Sequence, residues 1–370
     1  MGYNVKHRVL FLSPVAHFKG GAEKCLMEFV ENPNIKPAIA APSSGPILTT
    51  AQEQSIPGHI IPFGGVETIR RPFSFIKGFQ ALQSLFSAAQ TLKRTAQSEN
   101  IEIVPSNGLK AHAINCISRS IGGAKAVIHI HDIPLTRQEK IVWYILYFLC
   151  DKMLMVSRPC WPGQKLPRKC RIIHNGTILK KVAQKNLDFR NGLTAGFVGR
   201  IHPAKGLHLL LNWVAFARIN GINVKLSVRG SFSEDAPDYQ EEIYQLVNHL
   251  NLKDFVEFKG HINEPDEIYA GLDFVVVPSN TPDPLPRSVM EPMAMGIPVF
   301  GYPAGGIPEM IENGKSGYLV KNEAEFTDSI NKLLENYQLI VKSARDKISR
   351  EFSLEGLYQE LGSVYRELSE

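Results

Sequence analysis

Short apolar runs separated by longer stretches of helical period recur along the whole chain. In the first half Val9–Ser13, Ala38–Ala41, His59–Pro62, Ile101–Pro105, Ala126–Ile130, Met153–Ser157 and Arg171–His174 read as strands. Their near-continuous apolar character suits strands covered on both faces, and the helical stretches between them make parallel pairing the expected arrangement. Phe75, Phe79, Leu82, Phe86 and Ala89 repeat at helical spacing and define a long amphipathic helix. Ile141–Cys150 is apolar on all sides, which predicts a helix buried between the sheet and its neighbours.

A polar stretch, residues 183–192, reads as a linker, after which the alternation begins again. Strands are expected at Thr194–Val198, Val224–Val228, Val256–Lys259, Phe274–Val277, Val299–Gly301 and Tyr318–Val320, with helices at Gly206–Asn220 and Tyr239–Leu250. Leu354, Leu357, Leu361, Val364 and Leu368 mark a closing amphipathic helix over about 352–370. The pattern therefore predicts an α/β chain of two Rossmann-like doubly wound domains, residues 1–182 and 193–351, facing one another across a cleft.

At 370 residues with 44% hydrophobic and 21% charged positions, the chain is long enough for two such cores and ordinary in composition for a globular protein. The first strand candidate, Arg8–Leu12, follows the start almost at once, and the longest uncharged apolar run is too short to span a bilayer. Five cysteines without CxxC spacing suggest reduced thiols, neither a disulfide framework nor a zinc site. A cytoplasmic protein is the expectation. Charge is unevenly divided: residues 1–182 hold 23 Lys+Arg against 10 Asp+Glu, and the remainder 18 against 26. The basic clusters Arg70-Arg71 and Lys165–Arg171, beside Phe73, Phe75 and Trp161, suit an anionic membrane surface, which would make the protein peripheral at the inner face of the plasma membrane. A solvated basic face that only aids solubility is the alternative.

Chemistry-bearing residues gather where strands end, and open α/β sheets hold ligands there. Phe18–Glu23 (FKGGAE) is a glycine turn opening a helix, which allows close backbone approach to an anion. It is not GxGxxG, so a dinucleotide fingerprint is absent. Ser106–Lys110 follows another strand, with helix capping by Ser106 or Asn107 as its plain reading. His129 and His131, followed by Asp132, fall on one face of a strand by alternation. Asn175-Gly176 favours a turn. In the second half Arg200 and Lys205 stand five residues apart, able to aim two cations at one diphosphate. Asp283 and Glu291 flank a helix start in which Pro286 suits the first turn and Ser288–Met295 continues; Pro292 invites a kink.

Asp283-Pro-Leu-Pro-Arg-Ser-Val-Met-Glu291, followed by Gly296-Ile-Pro-Val and Ala304-Gly-Gly-Ile-Pro-Glu309, resembles the acid-x7-Glu region of retaining GT-B glycosyltransferases of family 4. Phe197–Gly206 (FVGRIHPAKG) is similar to the same family's GR-x4-KG loop, and His131-Asp132 to its His-Asp motif. The resemblance implies that His131, Asp132, Arg200, Lys205 and Asp283 serve catalysis. It implies a donor site of Gly20, Gly21, Gly199, Arg200, Lys205, His261, Ile262, Asp283, Leu285, Arg287, Ser288 and Glu291. Gly21, Glu23 and His131 would meet the acceptor, and the closing helix would return to the first domain. Asp283 stands where the family usually has Glu, Pro286 where it often has Gly, and Pro292 where it has Ala.

The activity so implied is hexosyl-type transfer with retention from a nucleoside-diphosphate-sugar donor to a hydroxyl of a glycan or lipid-linked glycan, in the synthesis of cell-surface polysaccharide or glycolipid, lipopolysaccharide included. The nucleotide sugar is a co-substrate. No cofactor or required metal is implied, and nucleic acid is not an expected partner. A nucleotide-sugar epimerase or hydrolase of the same fold, or a non-catalytic nucleotide-sugar-binding subunit, are the alternatives.

Overall fold

The computed structural model describes residues 6–18, 20–64, 75–179, 192–262, 264 and 267–370, with side chains described for all of these except 75–81. The expected linker, apart from Gly192, and the cluster Arg70, Arg71 and Phe73 lie outside the described residues. The chain divides into two compact units, residues 1–175 with 354–370, and residues 176–353.

Unit 1 is built on a parallel sheet of seven strands, β1 (His7–Leu12), β2 (Ile35–Ala41), β3 (Gly58–Ile60), β4 (Ile103–Asn107), β5 (Lys125–Ile130), β6 (Lys152–Met155) and β7 (Cys170–Ile172), in the order β3-β2-β1-β4-β5-β6-β7. The central strands are buried over nearly their whole length, which is why their sequences are apolar without alternation. Helices α1 (Gly21–Val30), α2 (Pro46–Glu53), α3 (Phe75–Ser98), α4 (Leu109–Ser120) and α5 (Arg137–Leu149) join them. Apolar cores form on both sheet faces, one around Leu10, Leu12, Phe63, Leu92 and Ile114, the other around Phe11, Leu26, Phe29 and Ile39. The second includes Leu357, Leu361, Val364 and Tyr365 of the C-terminal helix (Leu354–Ser369), which ion pairs Lys152–Glu367 and Arg171–Glu360, each 2.6 Å, also tie to the sheet.

Unit 2 carries a parallel sheet of six strands, β8 (Leu193–Val198), β9 (Val224–Arg229), β10 (Val256–Gly260), β11 (Phe274–Val277), β12 (Val299–Gly301) and β13 (Tyr318–Leu319), ordered β10-β9-β8-β11-β12-β13. It is covered by α6 (Leu207–Ile219), α7 (Tyr239–His249), α8 (Arg287–Ala294), the single-turn α9 (Ile307–Met310) and α10 (Glu323–Glu351), so that the C-terminal helix of unit 1 is α11. The core joins Phe274, Phe300 and Phe326 to Leu210, Val214 and Val228.

Three expectations need correction. α5 is not buried: only Trp143 and Leu146 of it are, and its other apolar side chains face outward or are half-covered. Pro286 does not sit in the first turn of α8 but caps it with an extended ψ of 125°, and the helix runs through Pro292 before ending two residues later. Neither Ser106 nor Asn107 caps α4, whose cap is Gly108; Ser106 Oγ instead meets His112 Nδ1 at 3.0 Å inside the core. α10 was not among the expected elements, although Phe326, Ile330, Leu333, Ile340, Ala344 and Ile348 repeat at helical spacing along it.

His112, His129 and His131 lie within unit 1 against Phe29 and Ser106, and burial holds all three neutral: His112 is pulled down to about 3, His131 to about 4 and His129 well below 6.5, with mutual repulsion adding to the shifts of His112 and His129. Below pH 6.5 the unfolded chain takes up protons that the folded chain refuses, so stability is full above that value and falls as pH drops toward about 4. Each such histidine removes up to about 1.4 kcal/mol per pH unit. Melting temperature, measured by calorimetry, should therefore decline steadily from pH 7 to pH 5; a flat profile over that range would show the histidines to be charged or solvated in the folded state.

Candidate active site

In each unit the strand order reverses between two neighbours, β1 and β4 in unit 1 and β8 and β11 in unit 2. Loops leaving such a pair diverge, so a crevice opens at the carboxyl ends of those strands. Gly20 and Gly21 follow β1, Gly199, Arg200 and Lys205 follow β8, and Asp283 follows β11, whereas His131 and Asp132 follow β5, and His261 and Ile262 follow β10.

In unit 2, β8 leads through Gly199 and Arg200 into a 3-10 turn, Pro203–Lys205, and then Gly206 and α6. Gly206 has φ +73°, and a Cβ added to it would stand 2.0 Å from the carbonyl oxygen of Pro278. The turn before α6 is thereby laid directly on the backbone that leaves β11, a closeness only glycine permits. Across this contact Lys205 Nζ pairs with Asp283 Oδ2. Asp283 is held from its other side too: Gly306 N–H donates to its carbonyl oxygen at 2.8 Å, and a Cβ on Gly305, φ +60°, would stand 2.1 Å from that oxygen. A cation beside the N-terminal end of α6 is thus fixed at the switch point by an acid that has little freedom of its own.

Glu291 lies one turn into α8. Its Oε1 accepts from Arg287 Nε at 2.8 Å, and its Oε2 from the hydroxyl of Tyr269 at 2.9 Å. Tyr269 is buried, and burial together with the neighbouring carboxylate holds its pKa well above 10, so it remains a donor. The turn that carries Tyr269 is itself clamped: the buried Arg229 guanidinium donates to the carbonyl oxygens of Glu267, Ile268 and Ala270 at 3.0, 2.9 and 2.7 Å. Neither Tyr269 nor Arg229 was among the sequence candidates. A tyrosine in a turn and an arginine closing a strand carry no local motif, and their roles arise from contacts 22 and 38 or more positions distant. Removing the hydroxyl in Tyr269→Phe takes away one of these two anchors and should weaken, by about three- to tenfold, the binding of a ligand that Glu291 holds. Calorimetric titration with a nucleotide measures it, and binding equal to that of wild type would refute the anchoring role.

The remaining candidates are placed less centrally. Arg200 is exposed and turned toward the loop after β9, with Nη1 3.5 Å from Ser233 Oγ and 3.6 Å from Asp235 Oδ2. His261 is exposed and Ile262 half-buried just past β10, Leu285 is buried, and Arg287 and Ser288 form the first turn of α8, whose N–H groups have no acceptor within the helix.

In unit 1, Gly20 caps α1 and its N–H donates to Glu23 Oε2 at 2.8 Å, so Glu23, expected to meet an acceptor, here closes the start of its own helix. Asn107 Nδ2 reaches the Ala22 carbonyl at 3.4 Å and ties the end of β4 to that helix across the switch point. His131 follows β5 with its ring 4.7 Å from that of His129 and 6.3 Å from that of Phe29. Its buried Nε2 has no hydrogen-bond partner among the described residues. Asp132 is exposed beside it. Contacts join His131 to neither Gly20 nor Glu23 among the described residues.

Residues 180–351 match the family model described as glycosyl transferases group 1. Among curated proteins the chain is similar to the capsular polysaccharide biosynthesis glycosyltransferase CapM of Staphylococcus aureus, 28% identical over 46% of this chain and 45% of that protein. It is also similar to spore coat protein SA of Bacillus subtilis, 31% identical over 46% of this chain and 47% of that one. The chain thus spans about half the length of these curated relatives. Among solved structures, Anabaena HepE in complex with UDP and glucose superposes with a TM-score of 0.79 at 22% identity, over 98% of this chain and all of that one. The match to the glycosyl transferases group 1 model is thus confined to residues 180–351, and the chain that carries them has the GT-B fold.

Proposed function

We propose that this chain is a glycosyltransferase of polysaccharide or glycolipid synthesis, which moves a hexosyl-type sugar from a nucleoside-diphosphate donor to a hydroxyl of a glycan or lipid-linked glycan, with retention at the anomeric carbon. The observation that carries the proposal is the half-buried Lys205–Asp283 pair at the β8/β11 switch point, between the N-terminal ends of α6 and α8. A diphosphate placed there would meet a fixed ammonium and the positive ends of two helices. Similarity to CapM and to the UDP-bound HepE supports the choice of reaction and of ligand.

The proposed chemistry follows from charge. As the glycosidic bond breaks, its electron pair passes to the departing diphosphate, which gains negative charge. Lys205 meets that charge more strongly in the transition state than before it, and the difference lowers the barrier. Asp283, shorter by a methylene than the Glu usual in the resembling family, would accept from a sugar hydroxyl while positioning Lys205. Glu291, already oriented by Arg287 and Tyr269, keeps unshared lone pairs for ribose hydroxyls. The acceptor hydroxyl attacks from the face that the diphosphate leaves and gives up its proton to an oxygen of that departing diphosphate.

The test is product analysis. Incubated with a panel of nucleotide sugars and glycan acceptors, the chain should release nucleoside diphosphate in an acceptor-dependent manner, and NMR of the product should show the anomeric configuration of the donor. Release that no acceptor accelerates would favour a hydrolase or epimerase, and tight donor binding without turnover a binding subunit.

A further inference from the structure

Helix α5 turns its most apolar side away from the unit that carries it. Ile141 is 58% exposed, Tyr144 41%, Ile145 52%, Phe148 74% and Leu149 43%, and these positions fall on one helical face. The opposite side is anchored by buried Trp143 and Leu146, with Trp143 Nε1 donating to the Cys160 carbonyl at 3.1 Å, so the outward face is a fixed feature of the fold.

A basic loop is fastened along the same helix. Lys169 Nζ donates to the carbonyl oxygens of Cys150 at 2.8 Å and of Phe148 at 3.3 Å, closing the end of α5. Trp161 packs edge-on to Tyr144 at 5.2 Å and donates to the Lys165 carbonyl at 3.0 Å. The loop so held presents Lys165, Leu166 and Arg168 to solvent, and the first turn of α5 presents Arg137 and Lys140. Of the nearby acids, Glu139 is taken up by the N–H groups of Leu135 and Thr136 at 2.8 and 2.9 Å, Asp151 by Arg119 at 2.7 Å, and Glu367, near Arg168, by Lys152 at 2.6 Å; Asp132, ahead of the helix, is exposed.

We propose that α5 and the loop 161–169 form a docking surface for an anionic lipid bilayer. An apolar helical stripe of aliphatic and aromatic side chains, bordered by four cations, suits a helix lying in the plane of the interface: the stripe enters the acyl boundary, Tyr144, backed by the buried Trp161, sits at headgroup level, and Arg137, Lys140, Lys165 and Arg168 meet lipid phosphates. Charge complementarity selects this occupant, since the half of the sequence that carries α5 has 13 more basic than acidic residues. Among the described residues no helix is long and apolar enough to cross a membrane, so the attachment is to the surface.

The whole chain should cosediment at low salt with vesicles of phosphatidylcholine containing one third phosphatidylglycerol. Binding should weaken by about tenfold or more with pure phosphatidylcholine vesicles, at high salt, and in the Lys165→Glu/Arg168→Glu variant. Ile145→Glu/Phe148→Glu should lose binding, and the milder Phe148→Ser should weaken it; both change exposed side chains, and melting temperatures equal to wild type confirm their folding. The proposal is overturned if wild type fails to sediment with anionic vesicles, if it binds neutral vesicles equally well, or if the α5 variants bind as wild type does. It is also overturned if gel filtration shows a dimer that Phe148→Ser disperses, because the face would then belong to a second copy.

Discussion

Replacing Lys205 by alanine is expected to lower kcat/KM by roughly 10²- to 10³-fold, the loss seen when one fixed group facing transition-state charge is removed. The structure makes the effect larger than deletion of a single cation. Lys205 pairs with Asp283, so its removal leaves the Asp283 carboxylate without that ammonium, on a residue whose backbone is fixed against Gly305 and Gly306, facing the proposed diphosphate. Lys205→Arg should recover part of the rate, because charge is restored while the reach differs. Asp283→Asn, which removes the repelling charge and keeps Lys205, should cost less than Lys205→Ala. Stability should change by no more than about 1 kcal/mol, since the pair is partly open to solvent and no large side chain leaves the core. Kinetics of the three variants, with melting temperatures as the folding control, measure each of these. Equal activity of Lys205→Ala and wild type would remove the assignment of the diphosphate to this turn.

Gly206→Ala should have a comparable effect on activity by another route. The new Cβ would stand 2.0 Å from the Pro278 carbonyl oxygen, and φ of +73° is itself strained for alanine, by roughly 1–2 kcal/mol. The clash is with backbone, so relief requires the start of α6 and the end of β11 to separate. Lys205 and Asp283 stand on either side of that joint, and a shift of about 1 Å in a reacting group costs on the order of 10²-fold in rate. The variant should therefore unfold at lower denaturant, by about 2–4 kcal/mol, and lose activity together with stability. Lys205→Ala should lose activity alone, which separates the positioning of the site from its chemistry.

The parallel sheets were legible because their strands are apolar without interruption: β11, Phe274–Val277, is buried at every position and reads the same in sequence and structure. α5 was legible as a helix and misleading as a core element. An all-apolar helix announces the cost of leaving it in water but says nothing about what covers it, and here only two of its side chains are buried. The candidate site was legible in part. Lys205, Asp283 and Glu291 stand in motifs at strand ends, whereas the pairing of Lys205 with Asp283 depends on two turns that are 78 residues apart in the chain. Glu23 shows the converse: the glycine turn marks the start of α1, and an acid three residues after a cap has a use within its own helix that sequence alone does not separate from ligand binding. Tyr269 and Arg229 required the fold itself.

If the β8/β11 switch point holds the diphosphate of a sugar donor, a crystal of the chain soaked with UDP should show a diphosphate oxygen within about 3 Å of Lys205 Nζ, beside the first turn of α6 or α8, and a ribose hydroxyl on Glu291. A diphosphate bound away from both turns, with the Lys205–Asp283 pair undisturbed, would rule that site out.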